Sequence, residues 1–214
     1  MKVLAIEKLK SRRKFHILLE GDNQIEVSED VLVDFGLRRG DELTPDTLEH
    51  IKRAQTYHDA YAAGIRLINF RQRTRSELSR RLAQKGFDRT TIGKVIERLS
   101  QLGLINDEEF AKAFVNAGST GKLLGKRSLI RKLREKGIDR ETAEKALGEF
   151  ANDEKQMTIA IEAAKKKLDR LSGEGIERKI KKLSTFLISR GFEWEIVKKV
   201  IRELLLKDVD DEYF

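Results

Sequence analysis

Hydrophobic residues follow two different rhythms along this chain. Before residue 44 the runs VLAIEKL, KFHILLEG and QIEVS are rich in apolar and β-branched residues, and GDN at Gly21 to Asn23 supplies a turn. That pattern predicts a hairpin or small sheet. Thr44-Pro45 then reads as an N-cap followed by proline at N1, opening a helix that runs on toward the next segment. Beyond it the apolar positions recur at helical spacing, and one arrangement of them is written three times. Leu78 and Leu82 stand eight and four residues before Gly86, as Leu129 and Leu133 do before Gly137 and Leu183 and Leu187 before Gly191. After the glycine, Phe87, Ile92, Val95, Ile96 and Leu99 are matched by Ile138, Ala143, Ala146, Leu147 and Phe150, and again by Phe192, Val197, Val200, Ile201 and Leu204.

The glycine has a local reason. A helix commonly closes on a residue in the left-handed region at C′, where glycine has no Cβ penalty, and the following C″ residue packs an apolar side chain back on C3. The predicted C3/C″ pairs are Leu82 with Phe87, Leu133 with Ile138 and Leu187 with Phe192. Asp88 and Asp139 are then placed to cap the next helix, while Glu193 in the third copy is a poorer cap. Each echo is therefore a helix–turn–helix corner, with Gly86, Gly137 and Gly191 as its structural turns.

Each corner also has an earlier helix. INDEEFAKAFV places Asn106 as N-cap and Glu109 three residues on, a capping box, after Gly103 has ended the helix before it. The counterparts are His58 to Phe70 in the first copy and Asp153 to about Leu171 in the third. Three tandem three-helix units at a period near fifty residues follow, each covering its neighbour's apolar face. The expected fold is mainly α, an elongated array, straight or curved. Its boundaries are a β-like extension with a short helix over 1–44, repeats over 45–104, 105–151 and 152–207, and an acidic tail over 208–214.

Composition narrows the class. Charged residues make up 37% of the 214 residues and there is one proline, as a solvated helical protein requires. With no cysteine, disulfides and thiolate metal sites are excluded. No apolar run is long enough to span a membrane and no export signal opens the chain, so a cytoplasmic, soluble protein, acting as a monomer, is expected. The net charge of +8 attracts polyanions. GSTGK at Gly118 to Lys122 lacks the first glycine and the final hydroxyl of a phosphate loop, since Asn116 and Leu123 stand there; a flexible interhelical loop is the better reading. His50 and His58 lie about 12 Å apart along one helix, too far for one metal. Asp107, Glu108 and Glu109 suit a helix N-terminus, and Trp194 suits either base stacking or cover of the third core. No catalytic constellation, cofactor or metal site is expected.

Basic residues recur instead. Arg80, Arg81 and Lys85 stand at the same distances before Gly86 as Arg131, Lys132 and Lys136 before Gly137. They lie off the leucine stripe. In the third copy Thr185 and Phe186 replace the first two, and Arg190 remains.

RQRTRSELSRRLAQKGF, LGLINDEEFAKAFV, GKRSLIRKLREKGI and LISRGFEWEIVKKVI, in that order over Ala54 to Leu205, resemble the successive signatures of the RecX family of regulatory proteins. The resemblance implies three tandem three-helix repeats and a non-enzymatic role in DNA recombination, repair and the SOS response. It implies a protein that lodges in the helical groove of the RecA recombinase filament on single-stranded DNA and damps ATP hydrolysis, strand exchange and filament growth. Contact residues inferred from charge are Arg73, Arg75, Arg80, Arg81, Lys85, Arg127, Arg131, Lys132, Arg134 and Lys136, toward acidic filament surface or DNA phosphate, with weak, non-specific affinity for single strands. The competing class is an autonomous helix-turn-helix nucleic-acid binder, which would prefer one duplex site.

Overall fold

In the computed structural model, residues 1–9 and 14–206 are described, and the expected acidic tail lies outside them. The chain divides into two compact units, Met1–Ile105 and Asn106–Phe214.

The first unit opens with a three-stranded antiparallel sheet in the order β1 (Val3–Lys8), β2 (Lys14–Leu19), β3 (Asn23–Ser28). All three apolar runs are thus strands, and Gly21 and Asp22 turn β2 into β3 with Leu19 opposite Asn23. Alternation buries Val3, Ile17, Leu19 and Val27 on one face. The start of the outer edge of β1 is occupied: the Val3 amide donates to Asp41 O (2.9 Å), and the Gly40 amide to Val3 O (2.9 Å).

A short helix, α1 (Glu29–Asp34), the connection after it and the first half of α2 (Pro45–Phe70) cover this sheet, adding Val31, Leu37, Leu43 and Ile51 to its core. Thr44 caps α2 through the Thr47 amide (3.1 Å), with Pro45 in the first turn. Nothing in the next 26 residues stops the helix, so it continues into the first three-helix domain. Its second half packs with α3 (Arg75–Ala83) and α4 (Arg89–Gln101) around Ala60, Ala63, Leu78, Leu82, Val95 and Leu99. One helix of about 39 Å therefore belongs to both cores.

The second unit holds two more three-helix domains. Helices α5 (Asp107–Thr120), α6 (Lys126–Glu135) and α7 (Arg140–Leu147) enclose Ala111, Val115, Leu129, Leu133, Ile138 and Leu147. Helices α8 (Asp153–Leu168), α9 (Ile176–Ser189) and α10 (Trp194–Leu205) enclose Ala160, Ala164, Leu183, Leu187, Phe192 and Val197. A domain this small buries too little surface to be robust alone, so a shared boundary matters.

One expectation is corrected. Gly118, Ser119 and Thr120 are not loop but the last turn of α5, and only 121–125 connect it to α6. A Cβ at Gly118 would lie 2.5 Å from Leu129 Cδ2, so this glycine lets α6 pack closely on a helix that has not yet ended.

Candidate nucleic-acid and filament interface

The three corners are built alike. The C″ amides of Phe87, Ile138 and Phe192 donate to the C3 carbonyls of Leu82 (3.3 Å), Leu133 (3.1 Å) and Leu187 (3.2 Å). The amides of Gly86, Gly137 and Gly191 donate to Ala83 O, Arg134 O and Ile188 O, completing the Schellman pattern with φ of +91°, +81° and +89°. Asp88 caps α4 through the Thr91 amide (2.9 Å), and Asp139 caps α7 through the Thr142 amide (2.8 Å). Glu193 makes no side-chain cap. Hydrogen bonds hold both aspartates below the usual carboxylate range, led at Asp88 by the Thr91 hydroxyl and at Asp139 by the Thr142 amide. Asn106 caps α5 through the amides of Glu108 (3.0 Å) and Glu109 (3.1 Å).

In the second unit the corner of the third domain also receives α6. The Gly125 amide donates to Arg190 O (2.9 Å) and the Arg127 amide to Gly191 O (3.2 Å). The Lys126 amide donates to Oε1 of buried Gln156 on α8 (2.9 Å), whose Nε2 donates to Phe150 O (2.8 Å). The first turn of α6 thus satisfies its amides on the neighbouring domain instead of on a side-chain cap. A Cβ at Gly125 would lie 2.5 Å from Gly191 O, which explains why glycine stands where the first domain has the capping Thr74.

Corners so defined aim the basic residues. In the first domain Arg75, Arg80, Arg81 and Lys85 are exposed on or just after α3. Arg81 reaches the Gln84 side chain (3.1 Å), and Arg80 and Lys85 have no carboxylate partner among the described residues. Arg73 is different: it is 9% exposed, and its Nε donates to Leu67 O (3.0 Å) near the end of α2. The guanidinium closes that helix end, so Arg73 does not belong to the open face.

In the second domain Arg131 and Arg134 are exposed and Lys132 and Lys136 half-buried. Arg127 reaches Glu193 (3.6 Å) across the domain boundary, and Arg131 pairs with Glu135 (3.9 Å). The Lys136 ammonium lies 5.5 Å and 5.8 Å from the Phe110 and Phe114 ring centres. Lys132 and Arg134 keep no carboxylate partner among the described residues. The positions that recur at Arg81 and Lys132 therefore carry cations in both domains without a neutralising acid.

The third domain keeps the corner and rearranges the charge. Phe186 stands at the position of Arg81 and Lys132, half-buried, with the Arg190 guanidinium 5.0 Å and the Lys167 ammonium 5.6 Å from its ring centre. Trp194 is 44% exposed, with Lys198 Nζ 5.7 Å from its ring, so it does not seal the third core. Lys122, Lys167 and Arg170 were not selected from the sequence, yet they line one cleft with Lys132 and Arg190. The only local signal was the loss of charge at Phe186 beside the retained Arg190. Among the described residues no group of histidine and carboxylate side chains could hold a metal ion, and no helix is long and apolar enough to cross a membrane.

Three tandem three-helix domains, each closed by a glycine corner of the same backbone design, define a modular helical-repeat protein. Profiles of the first, second and third three-helix domains of RecX match residues 60–99, 106–147 and 153–201. The chain belongs to the RecX family. It is 26% identical over 210 residues to the regulatory protein RecX of Oceanobacillus iheyensis, spanning 95% of this chain and 77% of that one. It is 31% identical over 153 residues to that of Pelodictyon phaeoclathratiforme, spanning 72% and 93%. A crystal structure of regulatory protein RecX superposes with a TM-score of 0.76 at 25% identity, over 97% of this chain and 99% of that one. RecX from Lactobacillus salivarius gives 0.64 at 29% identity, over 72% and 99%.

Proposed function

We propose that this chain is a non-enzymatic regulator of the RecA recombinase that binds the RecA filament on single-stranded DNA. It acts in the cytoplasm as a monomer, lodges in the filament's helical groove and inhibits ATP hydrolysis, strand exchange and filament growth. The observation that carries the reading is the recurrence, in the first two domains, of a cation without a carboxylate partner at one equivalent corner position, Arg81 and Lys132. A helical polymer offers acidic surface or phosphate at regular intervals, and several weak, spaced contacts on one scaffold add up through effective concentration where one contact would not hold. Membership of the RecX family supports the same reading.

Arg80, Arg81 and Lys85 of the first domain and Lys132 and Arg134 of the second supply the contacts; Arg75, Arg127, Arg131 and Lys136, which already have protein partners, contribute field more than direct bonds. The decisive measurement is single-stranded-DNA-dependent ATP hydrolysis by RecA with this protein titrated in. Inhibition at a stoichiometric or lower ratio is expected. No inhibition at that ratio, together with tight binding to one duplex sequence, would replace the reading with an autonomous helix-turn-helix binder.

A further inference from the structure

Between the second and third domains, inside the second unit, lies a cleft of about 490 Å³. None of its lining residues is acidic. Lys122 and Arg170 are exposed, while Lys132, Lys167 and Arg190 are half-buried. The one further cation, Lys166, is paired with Glu162 (2.7 Å) outside the lining. Lys122, Lys132 and Arg170 have no carboxylate partner among the described residues. Deeper lie the buried side chains of Leu123, Leu124 and Ala163, and beside them the half-buried ring of Phe186.

This grouping is fixed in place. The Arg190 guanidinium donates to Lys122 O and lies against Phe186, so one side chain ties the α5–α6 connection to α9. Arg190 O and Gly191 O receive the first amides of α6, holding the two walls together. Concentrating cations without acids costs stability through self-repulsion unless a ligand neutralises them.

We infer that this cleft is a binding site for one nucleotide unit of a single-stranded nucleic acid. The phosphate is held by Lys122, Lys132 and Arg170, and the base is received by the Phe186 ring with its stacked Arg190. Cations alone would suit any anion. The combination of a concave shape, an apolar floor and an aromatic face fits a ligand that carries a π-face on every charged unit, as a nucleic-acid strand does. A carboxylate on an acidic protein surface supplies charge but has no use for the ring or the floor. The inference rests on the reading of this chain as a protein that works on single-stranded DNA, and it names where a strand is gripped. It accounts for the loss of the corner cation at Phe186: the third domain exchanges a surface charge for a stacking surface and draws its cations from α8 and the α5–α6 connection.

The test is fluorescence anisotropy of labelled oligo-dT with the full chain, across a salt series and without recombinase, so that it succeeds or fails independently of ATPase inhibition. Each phosphate contact on a single strand contributes about 0.7 to the slope of log affinity against log salt, so K122E/R170E should lower the slope by about 1.4 and the affinity at least tenfold. F186A should weaken oligo-dT by roughly 5- to 150-fold, the range for losing one stacked base, and leave an abasic strand of equal length unaffected. If F186A fails to fold by circular dichroism, F186L removes the aromatic face while keeping an apolar body. Unchanged affinity and slope in K122E/R170E would overturn the site. Equal weakening of the normal and abasic strands by F186A would overturn the stacking assignment. Competition by poly-L-glutamate as strong as that by oligo-dT at matched charge would replace the nucleic acid with an acidic protein ligand.

Discussion

Alanine at Gly191 and alanine at Gly86 should have sharply different effects, although both glycines close the same kind of corner. Both sit in the left-handed region, at +89° and +91°. An L-residue there costs about 1–2 kcal/mol, and the loss of glycine's freedom in the unfolded chain returns about 0.4–1 kcal/mol. At Gly86 an added Cβ meets nothing within 4 Å, so Gly86→Ala should destabilise by about 1 kcal/mol. At Gly191 the same Cβ would lie 2.3 Å from Ser128 N and 2.5 Å from Ser128 Cβ. The Ser128 amide is main chain in the first turn of α6 and has no rotamer through which to retreat. Relief requires α6 to withdraw, which breaks the bonds from Gly125 N to Arg190 O and from Arg127 N to Gly191 O. At about 1 kcal/mol net each, these bring the expected loss to about 3 kcal/mol. Urea denaturation compares the two variants. Because two compact units need not unfold together, amide exchange at Gly125 and Arg127 reads the contact directly. Both amides should lose protection in Gly191→Ala and keep it in Gly86→Ala. Equal destabilisation by the two substitutions, with the Gly125 amide still protected, would refute the claim that this corner is an interdomain joint.

Other expectations follow from the caps and the charges. Asp88 and Asp139 have folded-state acidities held below the ordinary value of 3.8, so their contribution is fully present above that value and lost as pH falls through the depressed ones. D88N/D139N should therefore show a shallower acid limb in stability measured from pH about 5 down to about 2; an unchanged limb counts against the caps. Gln156→Leu leaves the Lys126 amide and Phe150 O without their partner, and should cost about 2 kcal/mol in thermal or urea denaturation. A loss near zero would mean that water substitutes freely there. Reversing charge in R81E/K85E should weaken inhibition of RecA ATP hydrolysis while helicity by circular dichroism stays intact. Inhibition equal to that of the unaltered protein would remove this patch from the interface.

The corners were legible because everything they need is local. A Schellman close is written in the C3, C′ and C″ residues, an aspartate cap in the next position, and the leucine stripe in the preceding turns. The same locality misled at Gly118. A glycine followed by Ser-Thr-Gly reads as a stop, yet α5 continues because Leu129 of another helix needs the space a side chain would fill. Arg73 looked like one more member of a charge run, since nothing in its neighbours shows that Leu67 O waits for its guanidinium. The third domain was the least legible. Its missing corner cation was visible at Phe186, but the residues that share a cleft with that ring, Lys122, Lys167 and Arg170, are brought together only by tertiary packing.

That gathering bears on how repeated domains diverge. A corner glycine with open space around it, as at Gly86, constrains only its own turn, so the surface nearby is free to keep a simple cationic pattern. Once a corner also receives its neighbour's helix, as Gly191 receives α6, two glycines face each other and the first amides of that helix in the preceding domain depend on it. Two walls are then held at fixed spacing, and a recess can persist between them. A position that serves as an exposed cation in an isolated corner becomes part of a lining in a joined one, where an aromatic ring stacked by Arg190 is more useful than another charge. The departure of the third copy from the basic pattern is, on this argument, a consequence of the joint, and a domain with an unjoined corner has no comparable reason to lose its cation.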